Sequence, residues 1–119
     1  MSKKVYHLGT CKTCQRILGE INTEGLEMQD VKTTPLTEEQ VDAMAQLAGS
    51  YEAIFTRRSR QYRALGLHEQ ELSEADYRKY LLEHYTFLKR PVFVIEDEIF
   101  VGNAKKNVEA VKEKLGAAP

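Results

Sequence analysis

The chain lacks a surplus of charge of either sign. Its 17 Lys and Arg face 18 Asp and Glu, for a formal net charge of -1 over 119 residues. No whole-molecule field therefore draws it to nucleic acid or to an anionic membrane, and any electrostatic specialisation must be local. Long apolar runs are missing too. The longest span only a few residues, far short of the roughly 20 that a membrane-crossing helix needs. Met1-Ser2-Lys3-Lys4 leads straight into an extended segment with no apolar stretch of the signal-peptide kind, so the cytoplasm is the expected compartment. Cysteine is scarce, with 2 in all. Lying three positions apart, they cannot staple a distant loop, which excludes a secreted disulfide scaffold. There is no internal repeat, low-complexity tract or dividing linker. What remains is an ordinary globular composition, 42% hydrophobic and 29% charged, at the length of a single domain over residues 1–119.

The two cysteines organise the rest. Tyr6-His7-Leu8-Gly9-Thr10-Cys11-Lys12-Thr13-Cys14-Gln15-Arg16 runs from a strand, through a Gly-Thr turn, into the first turn of a helix. A Cys-x-x-Cys pair at such a junction is the arrangement of redox thiols. Helix-end amides and the helix dipole favour negative charge, so Cys11 should ionise more readily than a free thiol of pKa ~8.5. Cys14, about one turn on, is within reach to close a disulfide. The competing readings are two small buried residues at a helix start, or a zinc site. Zinc needs about four ligands, and His7, His68 and His84 have no ligand spacing to the pair, so no metal is expected.

Around this junction the pattern predicts strand Lys4–Leu8, a helix from Cys11 with Ile17, Leu18 and Ile21 inward, and strand Met28–Lys32. Short links imply a right-handed crossover with both strands parallel. A helical block follows. Thr37 with Gln40 forms a capping box opening a helix with Val41, Met44, Ala45, Leu47 and Ala48 inward, closed at Gly49. Tyr51, Ile54 and Phe55 suggest a further short helix, and Ser73 starts another through about His84 with Tyr77, Tyr80, Leu81 and Leu82 buried. Lys89-Arg90-Pro91 then leads into Val92–Ile95, a polar turn at Glu96-Asp97-Glu98, and the answering strand Ile99–Val101. Asn103 is placed to cap a last helix carrying Val108, Val111 and Leu115. The order is βαβ, a helical insertion over about residues 36–88, then ββα.

Between the helices lie Arg57, Arg58, Arg60 and Arg63, four arginines in seven residues. They read either as a solvated face or as an anion grip, with Arg57 the leading candidate. His7 reads as a structural hydrogen-bonding residue with a possible influence on Cys11, and His84 as a helix-end cation.

The βαβ…ββα order, with Cys-x-x-Cys after the first strand and Pro91 before the third, resembles the thioredoxin fold: α/β, with a four-stranded mixed sheet. The helical insertion narrows the resemblance to the ArsC family of glutaredoxin-coupled arsenate reductases, YffB-like proteins and Spx-type regulators. It is carried by Tyr6-His7 to Cys11, by Thr56-Arg57 before Leu65-Gly66-Leu67, and by Leu82-Glu83-His84 through Lys89-Arg90-Pro91. The resemblance implies a thiol-dependent oxidoreductase with Cys11 as nucleophile and Cys14 as resolving thiol. It also implies Arg90 beside a cis-proline at Pro91, and Arg57, Thr10 and Pro91 at the anion. The substrate would be a small oxyanion or a disulfide, reduced with glutathione, glutaredoxin or thioredoxin and with no bound cofactor. Three positions depart from the arsenate reductases. Gly102 stands where they place an arginine, Gln15 where they place a basic residue, and Thr56 at their middle arginine, with Arg57 beside it. Cys14 is itself a feature of the Spx type. An alternative of another class therefore stays open: an Spx-like redox-sensing regulator that binds RNA polymerase without contacting nucleic acid.

Overall fold

The computed structural model describes residues 2–119. In chain order its elements are β1 (Lys3–His7), α1 (Lys12–Glu20), β2 (Glu27–Asp30), α2 (Glu38–Ala48), α3 (Arg60–Ala64), α4 (Glu74–Glu83), β3 (Val92–Ile95), β4 (Glu98–Val101) and α5 (Lys105–Leu115). Single 3₁₀ turns lie at Glu52–Ile54, Leu67–Glu69 and Tyr85–Phe87. Two compact units result. One comprises the chain up to Thr34 and from Arg90 onward, the other Pro35–Lys89.

The first unit is the sheet with α1 and α5. Strand order is β2-β1-β3-β4. β1 runs parallel to β2, which sets His7 opposite Asp30, and antiparallel to β3, while β3 and β4 form a hairpin. This is the mixed four-stranded sheet that the family resemblance implies. Its core joins Val5 and Phe93 from the strands to Ile17 and Ile21 of the first crossover and to Val108 and Val111 of α5. The spacings of four and three put each helical pair on one face. Full burial of such side chains stabilises by roughly 1.5–3 kcal/mol apiece.

Two local expectations need correction. β2 ends at Asp30 rather than Lys32 because Asp30 takes over the hydrogen bonding there. Its carboxylate accepts from the Lys32 amide at 3.0 Å and its carbonyl from the Thr34 amide at 2.8 Å. Asn103 is not the cap of α5. Ala104 holds that position without a side-chain bond, and Asn107 instead reaches back to the Gly102 carbonyl at 2.8 Å.

The second unit packs α2, α3 and α4 with the 3₁₀ turns. Thr37 and Gln40 form the expected capping box, and Ser73 with Asp76 forms a second at α4. Its core sets an aromatic cluster among aliphatic side chains such as Met44, Ile54, Leu67, Leu81 and Leu88. Phe55 stacks on Phe87 at 5.1 Å between ring centroids and meets the edge of Tyr77 at 4.9 Å. Leu47, read as inward, is 39% exposed. It falls off the edge of the stripe made by Val41, Met44 and Ala45.

Candidate active site

β1 stops at His7, and the chain turns through Leu8–Cys11, closed by the Cys11 amide donating to the Leu8 carbonyl at 3.0 Å. Gly9 and Thr10 are the two central residues of that turn. Cys11 occupies the N-cap position of α1 with φ -87 and ψ 115 and forms no side-chain cap bond. Its carbonyl accepts from the Gln15 amide at 3.1 Å, starting the helix. Both cysteines are free thiols, Cys11 half-buried and Cys14 fully buried. The junction thus presents one sulfur and hides the other.

The environments of the two sulfurs push them apart. Desolvation acts to raise the Cys11 thiol, yet hydrogen bonds from the Cys14 amide, the Cys14 thiol and the Thr13 amide, with the Arg90 charge, bring it below its ordinary value. These are the orphan amides of a helix start turned toward a developing anion. Cys14 is pushed up to about 11, first by burial, then by its hydrogen bond to Cys11 and the Cys11 charge; the Leu8 amide and Arg90 oppose this. One proton is therefore held on Cys14 and given toward Cys11.

Arg90 and Pro91 belong to the same unit as the cysteines, and the peptide bond between them is cis. The Pro91 carbonyl accepts from the Gly102 amide at 2.9 Å. Gly102 has a φ of 93, a conformation that an arginine side chain at this position would strain. Thr10 is exposed in the turn. Arg57 belongs to the helical unit, where its guanidinium donates to Glu52 at 2.6 Å and to the Tyr77 hydroxyl at 2.8 Å. Arg58, Arg60 and Arg63 are exposed. His84 caps the last 3₁₀ turn through Nδ1, which accepts from the Thr86 amide at 3.2 Å. His7 acts electrostatically on Asp30. Among the described residues, no three His, Cys, Asp or Glu side chains are grouped as a metal site requires. No helix among them is long and apolar enough to cross a membrane.

Two contacts of the turn escaped the sequence reading. The Asp30 carboxylate accepts from the Gly9 amide at 3.1 Å, and the Gln15 side-chain amide donates to the Gly9 carbonyl. A Cβ on Gly9 would sit 2.5 Å from Asp30 Oδ2. Glycine leaves room here for the Asp30 carboxylate, which an added Cβ would push aside. Only the parallel register that sets His7 beside Asp30 could have revealed the contact.

Comparison with known proteins gives a consistent result. Residues 6–111 match the model of the ArsC family. An arsenate reductase of Yersinia enterocolitica is 29% identical over 93 residues, covering 76% of this chain. The match spans 66% of that relative's own length, just under two thirds. Among solved structures, the arsenate reductase from Vibrio cholerae superposes with a TM-score of 0.76 at 21% identity, over 97% of this chain and 98% of that one. An arsenate reductase related protein from Brucella melitensis gives 0.67 at 24% identity, over 92% and 93%. At these identities the solved structures establish the fold, which is thioredoxin-like.

Proposed function

This chain belongs to the ArsC family, and from that premise we propose that it is a thiol-dependent oxidoreductase that reduces arsenate. The observation that carries the reading is the asymmetry of the cysteine pair: a half-buried Cys11 below its ordinary pKa and a fully buried Cys14 held as the thiol. A nucleophile and a resolving group need that division.

Cys11 thiolate attacks the arsenic of arsenate. A sulfur–arsenic bond forms, and one arsenate oxygen, taking up two protons, leaves as water. Arg90 stabilises the anion by charge-assisted hydrogen bonds, and Thr10 and Pro91 are its neighbours in the turn and at the cis bond. Cys14, deprotonated as it reacts, or a glutathione thiolate then attacks the Cys11 sulfur. The new disulfide takes the place of the sulfur–arsenic bond, whose electron pair departs with arsenic. Two thiols are oxidised and As(V) becomes As(III). Glutathione with glutaredoxin, or thioredoxin, returns the two electrons. These steps call on no resident cofactor, and they suit a reducing compartment such as the cytoplasm. Arg57 has no part in these steps; its Nη2 donates to Glu52 and to Tyr77 within the helical unit.

The test is arsenate-dependent NADPH consumption with glutathione, glutaredoxin and glutathione reductase, comparing wild type with Cys11→Ser and Cys14→Ser. Turnover that disappears in Cys11→Ser supports the reading, and the Cys14→Ser rate shows which thiol resolves the adduct. A wild-type rate equal to the protein-free blank overturns arsenate as substrate. The pair would then serve a protein partner, as in a redox-sensing regulator of RNA polymerase.

A further inference from the structure

Gly9 is held at both of its polar ends by residues that have no place in the steps above. Its amide is bound by the Asp30 carboxylate at 3.1 Å and its carbonyl by the Gln15 side chain. Gly9 is also a central residue of the turn whose closing bond fixes Cys11, the Cys11 amide to the Leu8 carbonyl at 3.0 Å. We propose that Asp30 and Gln15 are positioning residues for Cys11, clamping Gly9 from opposite sides so that the turn delivers the sulfur to the Thr13 and Cys14 amides.

Three features support the clamp. Asp30 is itself anchored, since its other oxygen accepts from the Lys32 amide at 3.0 Å, so it holds Gly9 from a fixed point at the end of β2. Gln15 sits on the first turn of α1, so its bond ties the turn to the helix it feeds. Gly9 leaves space for Asp30 that any side chain would fill, with a Cβ at 2.5 Å from Oδ2. The amides favour the thiolate only while the sulfur stays in hydrogen-bonding reach, and such bonds weaken steeply with distance and angle. Losing the clamp lets the turn rotate, and the thiolate loses part of that support. The inference rests on the proposed role of Cys11 as nucleophile, but not on the identity of the substrate.

The sign separates positioning from a direct field. A carboxylate near Cys11 acting only by charge would disfavour the thiolate, so its removal would lower the Cys11 pKa. Loss of positioning raises it. The experiment follows alkylation of the full chain by iodoacetamide against pH. Tryptic peptides are then quantified by mass spectrometry, because cleavage after Lys12 puts Cys11 in Val5–Lys12 and Cys14 in Thr13–Arg16.

Asp30→Ala and Gln15→Ala are each expected to move the Cys11 inflection upward and slow its alkylation at neutral pH by about threefold or more, the scale of one lost hydrogen bond. Asp30→Asn, which keeps an acceptor for Gly9, should stay near wild type. Unmoved profiles in both alanine variants, or a downward shift in Asp30→Ala, would overturn the clamp. If Asp30→Ala does not fold, Gln15→Ala decides alone, being an exposed helical site where alanine is well tolerated. A wild-type inflection at the ordinary thiol value of ~8.5 overturns the clamp and the nucleophile together. Shifted profiles in a protein that does not turn over arsenate keep the clamp and remove only the substrate.

Discussion

The two units of this chain stabilise themselves in different ways. In the sheet unit the core joins Val5, Ile17, Ile21, Val108 and Val111 around Phe93. The groups that act on Cys11 there are chiefly backbone amides, with Arg90 the one charged side chain among them. In the helical unit the rings of Phe55, Tyr77 and Phe87 cluster among buried aliphatic side chains, and polar and charged side chains tie short elements to one another. Arg57 bridges Glu52 and Tyr77. Arg78 holds Asp42 at 2.7 Å, and Tyr51 donates to the same carboxylate at 2.6 Å. A five-residue α3 and single 3₁₀ turns cannot stand on helical hydrogen bonds alone. Arg57 bonds within the helical unit, while a buried thiol, a few amides and the Arg90 charge act on the sulfur.

The largest effect that would break this contrast is in the aromatic cluster. Phe55→Ala should cost about 3–5 kcal/mol, the usual range for a fully buried phenylalanine, read from the urea midpoint. Hydrogen exchange should place the loss in amides of Pro35–Lys89. A cost below about 1 kcal/mol would mean that the aliphatic side chains and the ion pairs, and not the rings of Phe55, Tyr77 and Phe87, hold that unit.

Next in size is Gly9→Ala. The added methyl must displace the Asp30 carboxylate it would meet at 2.5 Å, giving a loss of about 1–3 kcal/mol by overpacking and an upward shift of the Cys11 inflection. An unaltered inflection would show that the turn tolerates movement and that the thiol environment is more forgiving than the geometry implies.

How much of this was legible beforehand follows from the range of each interaction. Capping at Thr37 and Gln40, the amphipathic spacing of Ile17 and Ile21, and the Cys11–Cys14 junction are all local in sequence, and each is found where the pattern put it. Arg90 before a cis-proline came from family resemblance, since nothing in its neighbours announces it. What could not be read was non-local. Asp30 meets Gly9 across 21 positions, and Arg57 meets Tyr77 across 20. The first contact needs a strand register and the second a packed aromatic cluster. Leu47 and Asn103 failed for a smaller reason. A helix stripe and a cap position are both sensitive to one residue of offset, which sequence periodicity does not resolve.

A smaller effect tests the polar side of the contrast. Thr37→Ala and Ser73→Ala each remove the side-chain half of a capping box and should each cost about 1 kcal/mol. Thr37 and Ser73 open different helices and are not partners in either box, so the double variant should lose close to the sum. A shortfall would indicate that α2 and α4 fray together.

The smallest effect is acid-dependent. The Arg78 hydrogen bond, then that of Tyr51, holds Asp42 down to about 2, below the unfolded carboxylate value of ~3.9. A depressed acid contributes stability above its unfolded pKa, and that contribution is lost as pH falls through the folded one. The urea midpoint of wild type should therefore exceed that of Asp42→Asn at neutral pH, and the gap should narrow from about pH 4 downward and be largely gone near pH 2. Because the pair is open to solvent, raised salt should shrink the gap as well. A gap that persists unchanged below pH 2 would assign the role of Asp42 to its shape and neutral hydrogen bonds. In that event side-chain charge would not be what joins α4 to α2 in the helical unit.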